Sequence, residues 1–471
     1  MTTKSKKAPP PIVWVFLAAL LFLANKFVFK IGTPDRGQVS KLEQNSNAKS
    51  DRKLNLKADA VSWGNKFLIT ANINSQKQQG IAAFNQQNYQ EAAEYWQAAL
   101  KRSPNDPETL IYLNNALIGN KQSYSLAVSV PIGVDPNTAQ EILRGVAQAQ
   151  QEINAVGGIN GIPLKIAIAD DSNNPQVAQK LAQKLAENSD ILGVIGHFSS
   201  DVTLAAASTY ESADLVAISP TSTSVSISNA GDYIFRTVPS DRFAGNALAE
   251  HLLERLNKQN AAIFYNSQSD YSNSLKDAFS TDLISNGGRI ITEFDLGDSN
   301  FDPELAIAKA EENGAEALIV LADSSTLDSA LSVARANNLQ LPLLAGDSVY
   351  TAKTLQAAGQ DTVGMVVAIP WHIRGAVDSD YPQAATRLWK AEVNWRSALA
   401  YDATQALIRG LEIEPTLQGI QTALAEPQFS LIGASGEINF LPSGDRNQKP
   451  QLVEVQSRNR SGFGYDFVPI N

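Results

Sequence analysis

Short apolar runs alternate with amphipathic helical patterns from Tyr124 onward. The first series has four strand-length runs, YSLAVSVPI, PLKIAIAD, ILGVIG and LVAISP, with helical patterns at Ala139–Val156, Gln176–Asn188 and Val202–Ser212. A second series follows Arg242 and has five runs, AAIFYN, RIITEF, EALIVLA, LPLLAG and MVVAIP. Alternating strands and helices predict right-handed βαβ units, and each series predicts a doubly wound parallel sheet. We therefore expect two α/β lobes with a cleft between them.

Hydroxyl-rich turns follow two neighbouring strands of the first series. ILGVIGHFSSDVT runs from Ile191 to Thr203, and LVAISPTSTS runs from Leu215 to Ser224. Ser200 or Asp201 stands at the predicted N-cap of the next helix, where free N–H groups and the positive dipole end attract a carboxylate or phosphate. Such turns also occur as plain helix caps. Here two of them stand at the carboxyl ends of adjacent strands, where α/β sheets bind ligands. An anion site is therefore supported as well as a pair of plain helix caps.

An all-α segment, residues 58–122, precedes the first series. Gly80, Ala92, Trp96, Ala99 and Pro104 stand where a tetratricopeptide repeat places its small, aromatic and terminating residues, and the segment resembles that family. The pattern predicts two antiparallel helices with Trp96 between them, followed by the first helix of a second repeat. Fewer than three repeats seldom fold alone, so the segment is expected to lean on a neighbour or pair with another copy. It is either a spacer or a groove for a protein partner.

The N-terminal residues carry a basic and then an apolar pattern. Lys4, Lys6 and Lys7 precede the apolar run Ile12–Ala24, and no small-x-small cleavage site follows Leu23. This pattern favours a retained single-pass membrane anchor, residues 1–31, over a cleaved signal peptide, and places the body outside the cell membrane. Residues 32–57 are polar and charged and are predicted to be a linker.

Composition narrows the function. The 471 residues have a net charge of −10, which argues against binding nucleic acid, and they include no cysteine, which excludes disulfides, thiolate metal sites and a lipid-modified cysteine. His197, His251 and His372 have neither metal-ligand spacing nor a nucleophile pattern nearby. GINGIP, residues 158–163, is a helix-stopping turn rather than a phosphate loop. We expect no cofactor, no metal and no enzyme activity.

Several motifs together resemble the type I periplasmic solute-binding proteins of the leucine/isoleucine/valine-binding branch. They are EILRGVAQAQQEINAVGGINGIPLKIAIADDSNNPQVA, VIGHFSSDVTLAAASTYE, AISPTSTS, IFRTVPSD, AGDSVY and ALAYDATQAL. The resemblance implies two Rossmann-like lobes that the chain crosses between three times. Lobe one would comprise residues 124–240 and 371–448, and lobe two residues 241–370 and 449–468. It also implies a bacterial inner-membrane protein facing the periplasm.

The resemblance assigns ligand-binding roles to eight positions. Lobe one would hold a ligand carboxylate, and an acid of lobe two would pair with the ammonium. The implied residues are Ser200, Thr221 and Thr223 for the carboxylate, Asp347 for the ammonium, Tyr271 closing over the ligand, and Ser324, Thr138 and Trp371 around its side chain. Asp347 would otherwise cap the helix near Thr351. Ser324 and Thr138 stand at or near aromatic positions of leucine binders, so a polar, acidic or amide-bearing ligand is expected.

These features predict an anchored extracytoplasmic protein that closes on a small amino-acid-like ligand. Its partner would be an ABC permease or a sensory protein. A rival hypothesis is an envelope regulator of a cell-wall synthase, because activators of those enzymes join tetratricopeptide helices to the same fold. The missing lipidation cysteine and the Ser200, Thr223 and Asp347 set argue against the rival. An enzyme on this fold is a third, weaker alternative.

Overall fold

The computed structural model describes residues 61–375 and 379–470. The anchor predicted at residues 1–31 and the linker predicted at 32–57 lie outside the described residues. Within the part that is described, no helix combines the length and the apolar character needed to cross a membrane.

A short strand and three helices come first. They are β1 (Val61–Ser62), α1 (Ser75–Asn85), α2 (Tyr89–Arg102) and α3 (Pro107–Ile118); we call α1–α3 the helical segment. α1 and α2 pack on each other around Trp96, which is fully buried together with Ala92 and Ala99. Gly80 permits this contact, because a methyl group there would overlap the Trp96 indole. Small residues thus let the two helices approach, as the repeat pattern predicts.

The first sheet contains five parallel strands and the edge strand β1. The next elements are β2 (Tyr124–Val130), α4 (Pro136–Ala155), β3 (Leu164–Asp170), α5 (Pro175–Ala186), β4 (Ile191–Ile195), α6 (Ser200–Ser212), β5 (Ala217–Ser219) and β6 (Ile234–Arg236). The strand order is β1-β3-β2-β4-β5-β6, with β1 antiparallel to β3 and the other pairs parallel. The predicted alternation of strands and helices is confirmed. The sequence pattern missed β1 and β6, which have only two and three residues.

The second sheet repeats this plan. Its parallel part is built from α7 (Asp241–Glu250), β7 (Asn260–Tyr265), α8 (Asp270–Ser285), β8 (Arg289–Asp295), α9 (Pro303–Glu312), β9 (Ala317–Leu321), α10 (Leu327–Asn337), β10 (Leu343–Ala345), α11 (Ala352–Ala358) and β11 (Val366–Ile369). All five apolar runs of the second series form strands, and each strand has at least three fully enclosed side chains except β8, which is half-buried at the edge.

The chain then returns to the first sheet before it ends in the second. The remaining elements are α12 (Tyr381–Trp389), α13 (Trp395–Ile413), α14 (Leu417–Ala425), β12 (Leu431–Gly433), β13 (Gly436–Ile438), β14 (Gln451–Gln456) and β15 (Asp466–Pro469). α13 packs on α4, β4 and β5, whereas β14 pairs antiparallel with β11 and completes the order β15-β14-β11-β10-β9-β7-β8. We call the first sheet with α4–α6 and α12–α14 lobe one, and the second sheet with α7–α11 lobe two. The chain passes between the lobes three times.

Four helices begin with the same local signal, an Asp or Asn followed by Pro. In α3, α4, α5 and α9 the side chain of the capping residue accepts a hydrogen bond from the backbone N–H three positions later. The proline adds no unsatisfied donor in the first turn, where the N–H has no helical partner. These caps fix the start of each helix beside the end of the preceding strand or loop.

The helical segment leans on lobe one. α3 packs on α4 and β3, and the Asn115 amide donates to the Ile166 carbonyl at 2.8 Å and accepts from the Ile166 N–H at 3.1 Å. Gln150 Nε2 of α4 donates to the same Asn115 oxygen at 2.9 Å. Asn115 therefore pairs with the free edge of β3 as a neighbouring strand would, and β1 pairs with the next residues of that edge.

Candidate functional site

A cavity of about 250 Å³ lies between the lobes. Its walls come from the loops after β4 and β5 of lobe one and after β7, β9 and β10 of lobe two, together with the start of α13. These loops leave the carboxyl ends of parallel strands, where open α/β sheets bind ligands. Five of the eight residues predicted from the sequence line this cavity: Ser200, Thr221, Tyr271, Ser324 and Asp347.

The hydroxyl groups of lobe one serve mainly to hold its loops. Ser219 and Ser222 donate to the His197 carbonyl at 2.8 and 3.2 Å, and Thr221 donates to the Phe198 carbonyl at 2.7 Å. Ser200 Oγ accepts from the Ser224 N–H at 3.2 Å. The Thr221 hydroxyl proton is therefore engaged within the protein. Ser199, the N-cap of α6, makes no side-chain capping bond and lines the cavity beside Ser200.

A buried polar network supports the loop after β4 from behind. His197 Nδ1 lies 2.7 Å from Asp171 Oδ2, and His197 Nε2 lies 3.0 Å from the Tyr210 hydroxyl. Ser129 donates to the same Asp171 oxygen at 2.9 Å. His197 and Asp171 are almost fully buried and do not line the cavity. The network positions the loop that carries Ser200.

Arg236 holds the second hydroxyl-rich loop. Its Nε donates to Asp445 at 2.7 Å, and its Nη1 donates to the carbonyls of Ser224 at 2.7 Å and Ser222 at 3.3 Å. Arg236 is fully buried. A paired guanidinium that binds the carbonyls of Ser222 and Ser224 keeps this backbone in one conformation and so fixes the position of Thr223 between them.

A tyrosine and a carboxylate form the opposite wall. The Tyr271 hydroxyl donates to Asp347 Oδ1 at 2.7 Å, and both side chains are less than a tenth exposed. Burial raises the pKa of Asp347 above its ordinary value, and the Tyr271 hydrogen bond opposes that rise. Gly346 is needed for the contact, because a Cβ there would overlap the Tyr271 hydroxyl. Thr351 rather than Asp347 caps α11, so the alternative role for Asp347 is not used.

A second, smaller cavity of about 20 Å³ adjoins the Tyr271–Asp347 pair. Thr223 and Asp241 line it, and neither Thr223 Oγ1 nor Asp241 Oδ2 makes a well-aligned hydrogen bond, although Ser274 and Thr223 lie close enough to Asp241 to oppose the rise of its pKa. Burial raises the pKa of Asp241 to about 7, and the nearby Asp347 charge contributes to the rise. Thr223 is thus near the predicted site but beside the carboxylates of lobe two. Asp241 is not one of the eight positions to which the family resemblance assigns a ligand-binding role.

Two predicted residues lie outside both cavities. Thr138 is in the first turn of α4, where its N–H donates to the capping Asp135 at 3.0 Å. Trp371 is 1% exposed and packs edge-on against Tyr381, with ring centroids 6.1 Å apart. The structure therefore places Thr138 in a helix cap and Trp371 in the hydrophobic core. Neither residue lines either of the two cavities, whereas the resemblance implied that both surround the ligand side chain.

The start of α13 supplies two cavity residues that the sequence analysis missed. Trp395 and Arg396 line the larger cavity and are 2% and 5% exposed. They lie more than 170 residues after the hydroxyl-rich turns, and no motif marks them. The signal that would have found them is a tryptophan–arginine pair at a helix start, where a cation is electrostatically unfavourable.

Hydrogen bonds join the two lobes around the larger cavity. The Asp270 N–H donates to Asp201 Oδ1 at 3.1 Å, and the Val225 N–H donates to Ser274 Oγ at 2.9 Å. Arg396 Nη1 donates to the Tyr350 carbonyl at 3.3 Å. The lobes are therefore in hydrogen-bonded contact next to the cavity.

The chemistry of the site suits binding of a small polar molecule. Over residues 61–375 and 379–470, no group of three or more His, Asp or Glu side chains is placed to hold a metal ion. Hydroxyls and the start of α6 stand on one side and favour a negative group. The buried Asp347 stands on the other side and favours a positive group, and Arg396 adds a buried cation at the start of α13. This arrangement matches a molecule with both charges.

Comparison with known proteins gives two family matches. The periplasmic binding protein family matches residues 132–459, and the tetratricopeptide repeat family matches residues 74–106. A substrate-binding protein of an ABC transporter from Desulfitobacterium hafniense, solved in complex with leucine, superposes with a TM-score of 0.62 at 25% identity, covering 74% of this chain and 100% of that chain.

Two curated relatives are similar in sequence. A leucine-specific-binding protein of Salmonella typhimurium is 31% identical over 230 residues, which are 48% of this chain and 61% of the relative. An amino acid binding protein of Pseudomonas aeruginosa is 27% identical over 228 residues, again 48% of this chain and 61% of the relative. The aligned part therefore spans less than two thirds of these relatives.

Proposed function

The chain belongs to the periplasmic binding protein family, and on that premise we propose that its cleft binds a small amino-acid-like ligand outside the cytoplasm. The family is one of binding proteins rather than enzymes. The ligand-bound form would be recognised by an ABC permease or by a sensory partner. The relatives named above bind leucine or amino acids according to their names, which supports the ligand class.

The observation that carries this proposal is the buried Asp347, which lines the same cavity as the hydroxyl-rich loops of lobe one. A carboxylate that is 9% exposed is costly unless a cation or several donors meet it. Tyr271 and the backbone N–H groups of Asp347 and Ser348 donate to it, and Arg396 attracts it through space. No cation of the described chain forms an ion pair with Asp347, so a ligand ammonium supplies a positive charge in direct contact, and Thr223 Oγ1 and Asp241 Oδ2 are buried oxygens beside the same place.

The ligand carboxylate then lies at lobe one. Ser199 and Ser200 stand at the N-terminus of α6, a helix of 13 residues whose dipole attracts an anion. The Thr221 hydroxyl keeps acceptor capacity only, since its proton goes to the Phe198 carbonyl. Ser200 is therefore the stronger candidate of the two for donating a hydroxyl proton to the carboxylate.

Closure follows from this division of contacts. A ligand that touches lobe one with its carboxylate and lobe two with its ammonium makes both contacts only when the lobes meet. Such a ligand shifts the equilibrium toward the closed form by its extra affinity for that form. The Asp201–Asp270 and Val225–Ser274 hydrogen bonds also lie between the lobes and would be lost if the lobes separated.

Native mass spectrometry and titration calorimetry test the proposal. Purified full-length protein should carry or bind an amino acid, and Ser200→Ala should weaken binding by about 1–3 kcal/mol. Ser212→Ala, an exposed serine at the other end of α6, is the matched control and should leave affinity unchanged. Absence of binding to all twenty amino acids and to small amides would overturn the proposal.

Membrane anchoring is a separate part of the proposal. It is supported by the basic residues and the apolar run at positions 4–24, as the sequence pattern predicts. The full-length chain should sediment with membranes and need detergent for release, whereas a cleaved leader would leave it in the soluble fraction.

The helical segment favours a second candidate, an envelope regulator of a cell-wall synthase. Its packing on lobe one gives any protein bound to α1–α3 a fixed position relative to the cleft. Recovery of a peptidoglycan synthase with the full-length chain, together with no amino acid binding, would reverse the ranking.

A further inference from the structure

Arg396 is a buried cation in the ligand cleft. It lies in the first turn of α13, lines the larger cavity and is 5% exposed. A helix of 19 residues has its positive dipole end at this turn. The helix therefore disfavours the arginine at the position it occupies.

The guanidinium has few partners. Nη1 donates to the Tyr350 carbonyl at 3.3 Å, and the group lies over the Trp395 ring, 4.2 Å from its centroid. Nε is buried without a hydrogen-bond partner. No carboxylate of the described ranges forms an ion pair with Arg396. Asp347 is the acid that acts on it most strongly, but only through space across the cleft.

The other acids of the cavity are engaged elsewhere. Asp323 Oδ1 accepts from the N–H and hydroxyl of Thr326 at 3.0 and 2.7 Å, at the start of α10. Asp201 accepts from the Asp270 N–H across the lobes. Neither acid neutralises Arg396. Asp347, Asp135 and Glu141 favour the charged guanidinium through space, but none of them forms an ion pair with it. A buried guanidinium without a carboxylate in contact with it is costly.

We propose that the ligand is an acidic amino acid, whose side-chain carboxylate pairs with Arg396 while Ser200 and Asp347 hold its backbone charges. This inference rests on the proposed function and specifies its substrate class. A planar guanidinium with unused donors can bind a carboxylate through two parallel hydrogen bonds. A cavity of about 250 Å³ limits the ligand to a small molecule. The exposed Ser324 on the opposite lobe adds a polar rather than an apolar wall.

Calorimetry with four probes tests this substrate class. L-glutamate, L-aspartate, L-glutamine and L-leucine are titrated into the full-length protein and into Arg396→Gln. Wild type should bind glutamate or aspartate at least tenfold more tightly than glutamine or leucine. Arg396→Gln should lose 100-fold or more for the acids and less than tenfold for glutamine, since only the acids use the guanidinium.

Two further variants make the result interpretable. Arg409→Gln removes a half-exposed arginine of the same helix, paired with Glu412, and should bind all probes like wild type. Arg396→Lys keeps the charge but loses the planar fork, and should keep a preference for the acids with weaker affinity. Thermal unfolding of both Arg396 variants shows whether a loss of binding comes from a loss of fold.

The outcomes separate the two proposals. Leucine or glutamine binding more tightly than both acids overturns the acidic ligand and leaves the amino-acid function standing. Equal losses for glutamate and glutamine in Arg396→Gln also overturn it, because Arg396 would then hold the backbone carboxylate. Failure of all four probes to bind wild type overturns the acidic ligand as well, and binding of another amino acid would then decide whether the broader function stands.

Discussion

Replacement of Asp347 by Asn should weaken ligand binding without destabilising the free protein. Asp347 is 9% exposed, and Tyr271 donates to it at 2.7 Å. Removing one partner of a buried charge pair costs about 2–5 kcal/mol in affinity, which corresponds to a loss of roughly 30- to 5,000-fold. The asparagine oxygen still accepts the Tyr271 hydrogen bond, so the wall of the cavity is retained.

The free energy of unfolding of Asp347→Asn should rise or stay constant. Burial raises the pKa of Asp347, which means that folding disfavours its charged form. At pH 7.5 an uncharged asparagine avoids this cost, so the free energy of unfolding of the unliganded variant should equal or exceed that of wild type. Loss of function with unchanged or higher stability is the expected signature of a residue that binds ligand.

Calorimetry gives the affinity, and thermal unfolding without ligand gives the stability. Asp328→Asn is the matched control, since this aspartate lies in the same lobe, is 80% exposed and pairs with Lys353. An affinity loss below threefold would refute the pairing of Asp347 with an ammonium. A fall in the unfolding temperature equal to that of a core substitution would show that Asp347 is structural.

Further predictions concern pH and packing. Burial raises the pKa of Asp241 to about 7 and also raises the pKa of Asp347. Since both carboxylates bind a cation only when ionised, the affinity for the amino-acid ligand should rise from pH 5 to pH 8. Calorimetry should show a flatter pH profile for Asp241→Asn. The folded state binds the Asp241 proton more tightly than the unfolded state does. The contribution of Asp241 to the free energy of unfolding should therefore fall as the pH rises from about 4 to 7. The difference between wild type and Asp241→Asn in urea unfolding measures this contribution. Gly80→Ala should cost about 1–3 kcal/mol in urea unfolding through overlap with Trp96, although alanine favours helix; a stabilised variant would contradict the packing. Asn115→Leu leaves the Ile166 peptide unpaired and should cost about 1–3 kcal/mol per lost partner, and an unchanged unfolding midpoint would contradict it.

The sequence predicted the lobes because their strands are continuous apolar runs separated by long helices. The family resemblance, through motifs that contain both residues, also placed Ser200 and Asp347 in one site, although 147 positions separate them. The sequence could not predict Arg396, whose place in the cleft depends on the return of the chain to lobe one. Thr221 shows another limit, since a sequence does not tell which hydroxyls donate to nearby carbonyls.

Local chemistry also explains the two residues that lie away from the cleft. Thr138 belongs to an Asp–Pro helix start, and this cap sets its place more strongly than the resemblance does. Trp371 follows a buried strand and finds its partner in Tyr381, which is ten residues further along the chain. β1 has two residues, which is too short for an alternating pattern to be recognised.

The pairing of β1 and Asn115 with β3 means that α1–α3 are not a detachable module. Without them, the backbone of an outer parallel strand would present open donors and acceptors to any second molecule. A shortened protein that starts at Tyr124 should therefore self-associate, and light scattering would detect this as oligomers that the intact chain does not form. By covering the edge of β3, the N-terminal segment would prevent edge-to-edge association of lobe one with a second copy.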